Sequence, residues 1–404
     1  MVYPKQIIYP LRYVRPLFCR DVGSGERFEA TFRAPLGGGI HVIALGRARA
    51  GIYLLVKYAV SSQRNQVVLS PYTIPDVINM VKFAGGAPVF VDHLPNSTNI
   101  DVEHLSSLLD DSVCCVMITH YHVNQNQMRD IRCLCKNRGV LLFDDCALAM
   151  GADYDGVKIG TYTDGSIFSM SGFKPLNFLW GGAITTGSLP IARHVSAEVE
   201  KWPRLSMHQY FSQMLKTMRY DFPTRSSIFS NLTFPILRKS ALSGEDRELL
   251  PLVRVESSRL DSSIVSRPSF GAMQEWERKL CSVESHIIHR RSISSIYDQI
   301  LGDRLVSGET SSQVRKGSCF VNYPILVDAE RRTRIYKHIL SRGFDVGLSL
   351  YPNVHDLPGF TQIPGQSRSV SALVRSIITL PTHPIISEEY ATSLAGAAKH
   401  AMLD

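Results

Sequence analysis

The chain has 404 residues, 44% of them hydrophobic and 20% charged, with a formal net charge of +8. That length carries two domains with substantial cores, and that composition excludes a disordered or fibrous chain. The basic residues are scattered apart from short clusters such as His289-Arg290-Arg291 and Arg331-Arg332, so the positive balance suits phosphorylated ligands and no nucleic-acid partner is expected.

The first 18 residues mix prolines and arginines into what a signal peptide would need as an unbroken apolar run. The apolar stretch from Ala50 to Val60 is interrupted by Lys57 and is too short to span a bilayer, so no transmembrane segment is expected. None of the eight cysteines pairs in a Cys-x-x-Cys spacing, which suits reduced thiols and a cytoplasmic protein.

Residues 1–39 read as an irregular arm ending in Gly37-Gly38-Gly39. Ile40 to Leu45 reads as a strand, and Ala48 opens an apolar helix whose small first residues would let a phosphate reach the backbone amides. Strands and helices then alternate. Strands are expected at Val67–Ser70, Pro88–Asp92, Val113–Thr119 and Val140–Phe143, and helices at Pro75–Phe83, Asp101–Leu109 and Gln127–Arg138. Continuous apolar strands between helices predict a mainly parallel sheet buried on both faces. Ligands bind such sheets at the carboxyl ends of the strands.

Three of those ends carry polar chemistry. His120-Tyr121-His122 follows one strand, Asp144-Asp145 closes another, and the strand Ser166 to Met170 leads to Lys174. His120 and His122 would share a strand face, but no third ligand follows from the sequence and no metal is expected. A lysine amine and a buried acid at one sheet edge suit pyridoxal phosphate. Its aldehyde condenses with an amine, and its ring nitrogen must stay protonated opposite a carboxylate. Taken singly, Asp145 also reads as a helix cap and Lys174 as a surface lysine.

The whole run FDDCALAMGADYDGVKIGTYTDGSIFSMSGFKPLNFLWGGAITTG resembles the DegT/DnrJ/EryC1/StrS sugar aminotransferases. In that family an acid, a Gly-Ala-x-Tyr-x-Gly turn, a Phe-Ser strand, the cofactor lysine and a Gly-Gly turn follow in this order. The resemblance implies an α/β chain with a three-layer, pyridoxal-phosphate-binding large domain and a smaller α+β C-terminal domain. It implies Lys174 as the catalytic lysine and Asp145 as the ring acid. Ser169, with Arg49 and Ala50 at the first helix, would hold the phosphate, and His120 would lie at the cofactor. Leu148 stands where the family commonly has glutamine, and Val123 where it often has glycine. The reaction implied is transfer of an amino group, with glutamate as donor, to a nucleotide-linked keto sugar, by a homodimer. Elimination or dehydration on the same fold and a non-catalytic regulatory relative are the alternatives. The family's dehydratases lack the lysine, which favours transamination.

Beyond Gly187, residues 189–256 read as a helical insertion longer than in compact relatives. Its aromatic and basic mixture suits a dimer contact or a membrane-surface patch as well as plain packed helices. Apolar residues three to four apart predict a long helix from Ser269 to Ile300. Strand, helix, strand, strand and helix are expected from Phe320 to the end. The domains are therefore expected at 40–256 and 257–404.

Overall fold

A computed structural model describes residues 2–5, 21–121, 127–243, 260–261, 264–302, 316–349 and 351–403. His122 and Val123, together with the part of the insertion from 244 to 256, lie outside the described residues.

Seven strands form one sheet: β1 (His41–Leu45), β2 (Gln66–Leu69), β3 (Ala87–Phe90), β4 (Val113–Thr119), β5 (Leu141–Asp145), β8 (Gly165–Ser169) and β9 (Gly182–Thr186), with β6 (Asp153–Tyr154) and β7 (Val157–Lys158) making a small hairpin beside it. Their spatial order is β1-β9-β8-β5-β4-β2-β3, parallel from β3 through β8 and antiparallel at the β8/β9 and β9/β1 pairings.

Successive side chains of a strand point to opposite faces, and the two cores show it. Val42, Val68, Val116, Leu142 and Phe168 enter one core, while Ile43, Val67, Met117, Phe143 and Ile167 enter the other. Helices α2 (Ala48–Ala59), α3 (Pro75–Phe83) and α6 (Leu189–Glu200) cover the second face. On the first face lie α1 (Ser24–Arg33), α4 (Val102–Leu108) and α5 (Met128–Asn137). This is the three-layer α/β architecture expected for the large domain.

One expectation is corrected. The N-terminal segment contains α1, where an irregular arm was expected. Phe28 and Phe32 are one turn apart and both buried, with Phe28 set edge-on against Trp276 at 5.2 Å. Two aromatic anchors in SGERFEATFR fix a helix that the glycines around it obscure in the sequence.

The insertion is helical where described: α7 (Met207–Thr224), a short turn α8 (Ser226–Ile228), a π-helical turn over Phe229–Thr233, and α9 (Phe234–Ser243). Ser206 and Gln209 close α7 with a reciprocal capping box. The long α10 (Phe270–Leu301) packs on α1 near its start and on the C-terminal helix, α13 (Glu388–Leu403), towards its end. The C-terminal part adds β10 (Asn322–Leu326), α11 (Arg332–Ser341), α12 (Arg368–Ser376) and β11 (Ile377–Pro381). Strands β10 and β11 pair antiparallel, and the third strand expected near Asp345 is reduced to a single bridge between Gly347 and Thr379.

Candidate active site

The sheet gathers its polar residues at the carboxyl ends of β4, β5 and β8. Strand β5 ends on two acids, and the two-residue pleat sends them to opposite sides. Asp144 points inward and is fully buried. His120 Nε2 lies 3.3 Å from its Oδ2, and Thr163 Oγ1 donates to its Oδ1 at 2.7 Å. Burial would raise the Asp144 carboxyl, but the hydrogen bond and charge of His120, helped by Ser166 and Thr163, hold it below the usual carboxylate range.

Asp145 sits on the other side, toward Lys174. Its Oδ1 accepts the Ala147 amide at 2.9 Å. Burial pushes the Asp145 carboxyl up, and the Ala147 amide and the Lys174 charge pull against that. The Lys174 amine is lowered by burial, opposed by the Asp145 charge and reinforced by Arg49. Both side chains keep some exposed surface. Their titrating ends are nonetheless enclosed by protein, and the surroundings of the charge decide its ionisation. An amine and an acid that each lose their charge more easily than in water suit the handling of protons.

Lys174 is aimed by a local backbone outlier. Phe173 takes φ 69°, a left-handed conformation that costs a bulky residue about 1–3 kcal/mol. Nearby, Ser169 is buried, and its hydroxyl lies 3.1 Å from that of Ser171. Helix α2 begins here without a side-chain cap: Arg47 is its N-cap residue, and Ala50 N–H donates to the Arg47 carbonyl at 3.2 Å. Arg49 pairs with Asp76 at the start of α3, and Arg47 lies over the Trp180 ring at 3.4 Å. The glycine pair explains how the loop after Lys174 meets this helix. A Cβ on Gly182 would stand 2.5 Å from Ala48 Cα, and one on Gly181 would overlap Trp276. Only glycine permits that approach.

The residues brought together fit pyridoxal phosphate. The amine is more readily neutral than a free lysine, the half-buried Asp145 carboxylate gains from a cationic ring N–H, and hydroxyls adjoin an uncapped helix start that favours a phosphate. Leu148 is buried three residues after Asp145 and contributes only apolar surface. His120 is also fully enclosed, so its ring meets Asp144 and acts from behind the site.

Two features escaped the sequence. Alternation along β5 could have separated the roles of Asp144 and Asp145. The second feature had no local signal: Tyr72, Tyr121 and Tyr351 form an aromatic cluster beside Asp145, with ring centroids 4.9 Å apart for Tyr72–Tyr121 and 6.0 Å for Tyr121–Tyr351. Tyr351 lies 230 positions after Tyr121 and 279 after Tyr72 in the sequence. His120, Asp144 and Cys146 also place potential ligand atoms within 4.8 Å of one another, all buried.

Residues 22–218 match the DegT/DnrJ/EryC1/StrS aminotransferase family. The chain is 29% identical over 169 residues to an uncharacterized protein of Methanocaldococcus jannaschii, covering 42% of this chain and 44% of that protein. It is 27% identical over 163 residues to a GDP-perosamine synthase of Vibrio cholerae, covering 40% and 44%. The matched stretch thus spans less than half the length of these curated relatives. Among solved structures, the aminotransferase TlmJ of Streptoalloteichus hindustanus superposes with a TM-score of 0.73 at 18% identity, covering 100% of this chain and 99% of that one. Helicobacter pylori PseC, an aminotransferase of pseudaminic acid biosynthesis, does so with 0.71 at 16%, covering 98% of each. At those identities the likeness is one of fold.

Proposed function

Since residues 22–218 match the DegT/DnrJ/EryC1/StrS aminotransferase family, we propose that the chain is a pyridoxal-phosphate-dependent aminotransferase that moves an amino group from glutamate to a nucleotide-linked keto sugar. The observation that carries this reading is the meeting of Lys174 and Asp145 at one sheet edge, with burial easing the amine toward its neutral form. The sugar is supported by the relatives, which include GDP-perosamine synthases and a UDP-linked altrosamine transaminase.

Pyridoxal phosphate, when bound, supplies an aldehyde that condenses with amines and a ring that accepts an electron pair. Lys174 would hold the aldehyde and, once the donor amine replaces it, take a proton at Nζ and return it. A lowered pKa serves that duty, because the amine must spend time unprotonated near neutral pH. Asp145 would hold the proton on the ring nitrogen, with the Ala147 amide fixing its carboxylate. Ser169, Arg49 and the Ala50 backbone would bind the phosphate. Leu148 would give an apolar wall that excludes water, and His120 would brace the β5 end through Asp144.

In this reading residues 40–256 form the large domain with its helical insertion, residues 257–404 carry the linking helix and the small domain, and residues 1–39 the N-terminal arm. Family resemblance supports a cytoplasmic homodimer. No described helix is long and apolar enough to cross a membrane.

Glutamate added to the cofactor-loaded protein, without a sugar, should bleach the yellow absorbance and release one equivalent of 2-oxoglutarate per site. A yellow protein that glutamate leaves unchanged, and that instead eliminates a group from the sugar, would transfer the assignment to a dehydratase.

A further inference from the structure

We propose that the face presented by α7 and α9 docks on an anionic lipid bilayer surface, making the protein peripheral to a membrane. In α7 the residues Phe211, Leu215, Met218 and Phe222 follow the four- and three-residue steps of one helix face, and they remain 47%, 48%, 42% and 56% exposed. The adjoining face, with Tyr210, Gln213, Met214, Thr217 and Asp221, is buried. Large apolar groups therefore face water over about three turns of the helix, while the polar Gln213, Thr217 and Asp221 lie inside beside Tyr210 and Met214. Leu232 and Ile236, four residues apart in the following turns, are 59% and 61% exposed. Isolated exposed leucines are ordinary, but an ordered stripe of this kind marks a contact surface.

The charges around the stripe select its occupant. Lys216, Arg219, Arg225 and Lys239 are exposed in the same segment. The only acid between positions 206 and 243 is Asp221, which is buried and paired with Arg225 at 3.0 Å. On the wheel of α7, Arg219 borders the apolar arc, and Arg225, the residue just past the end of the helix, stands over the Phe222 ring at the end of the stripe. A second copy of this face would set two surfaces carrying Lys216, Arg219 and Lys239 against each other across a two-fold axis, with no exposed acid among the described residues of the segment to relieve them. Apolar side chains bordered by arginine and lysine are the pattern of helices that lie in the headgroup region of anionic membranes.

The test is co-sedimentation of the full chain with vesicles of phosphatidylcholine mixed with phosphatidylglycerol, beside vesicles of phosphatidylcholine alone. Binding is expected to the mixed vesicles and to weaken as salt rises. Phe211→Ser with Phe222→Ser should lower the partition at least about tenfold. Arg219→Glu should lower it about tenfold, and because it leaves the stripe intact it keeps the test valid if the double variant fails to fold. Leu403→Ser, at the far C-terminus, should have no effect. The proposal is overturned if the parent protein stays in the supernatant with the mixed vesicles, or if it binds neutral vesicles equally well. Sedimentation equilibrium supplies a third overturning result: a parent dimer that the double serine variant splits would assign the face to a second copy.

Discussion

The end of β5 and the outer face of α7 break the same rule in opposite ways. At β5 an acid and a histidine, Asp144 and His120, are buried and a second acid, Asp145, is half-buried; on α7 four large apolar side chains are exposed. Each arrangement costs stability in isolation, and the difference lies in what offsets the cost. The two acids are answered from within the chain. Asp144 has His120 and Thr163, and Asp145 has the Ala147 amide and the Lys174 charge. The α7 stripe has no comparable partner among the described residues, so its compensation comes from outside. Functional sites are built both ways, and a site that closes on itself leaves a stronger mark in sequence.

The contrast can be broken by removing one side of a pairing. The largest effect is expected at Asp145. Asp145→Asn keeps the shape and removes the charge, and turnover should fall at least about a hundredfold while the cofactor still binds, measured as steady-state rate against absorbance. An enzyme of nearly full activity would place the ring acid elsewhere.

His120→Ala should come next, with a loss of about 3–5 kcal/mol in urea unfolding, because it leaves Asp144 buried without its histidine partner. Its pH dependence gives the sign. The folded Asp144 carboxyl lies below its ordinary value, so its contribution to stability is present above that ordinary value and is lost as pH falls through the folded one. Without His120 burial dominates, and the acid loss should begin at higher pH than in the parent. An unshifted acid limb would mean that the pair contributes nothing to stability.

The smallest effect belongs to the exposed face. Leu215→Ser should change unfolding stability by no more than about 0.5 kcal/mol, since it removes little buried surface. A loss of several kcal/mol would show that the stripe is covered in solution and would sharpen the contrast into one between two closed regions.

The same difference explains how much was legible beforehand. The sheet strands and their flanking helices announced themselves through apolar runs bounded by Gly, Pro and Asp, and Lys174, Asp145 and Ser169 fall within one local stretch. Helix α1 was hidden because its helical signal rests on two phenylalanines whose partner, Trp276, lies some 250 residues away. The tyrosine cluster was hidden for the same reason. Asp144 was visible as a residue but not as a role, since only the pleat of β5 and the position of His120 separate it from Asp145. In the insertion the spacing of Phe211, Leu215, Met218 and Phe222 was readable as a helix face, but not which way that face points. A sequence period gives the stripe, and tertiary packing chooses its direction.

The most direct measurement is borohydride reduction of the cofactor-loaded protein followed by mass spectrometry of its peptides. Reduction fixes pyridoxal phosphate on the lysine that holds it. The added mass should appear on the peptide containing Lys174 and on no other, and Lys174→Ala should be colourless and unlabelled. Label on a different lysine, or a yellow and active Lys174→Ala protein, would contradict the assignment of this site.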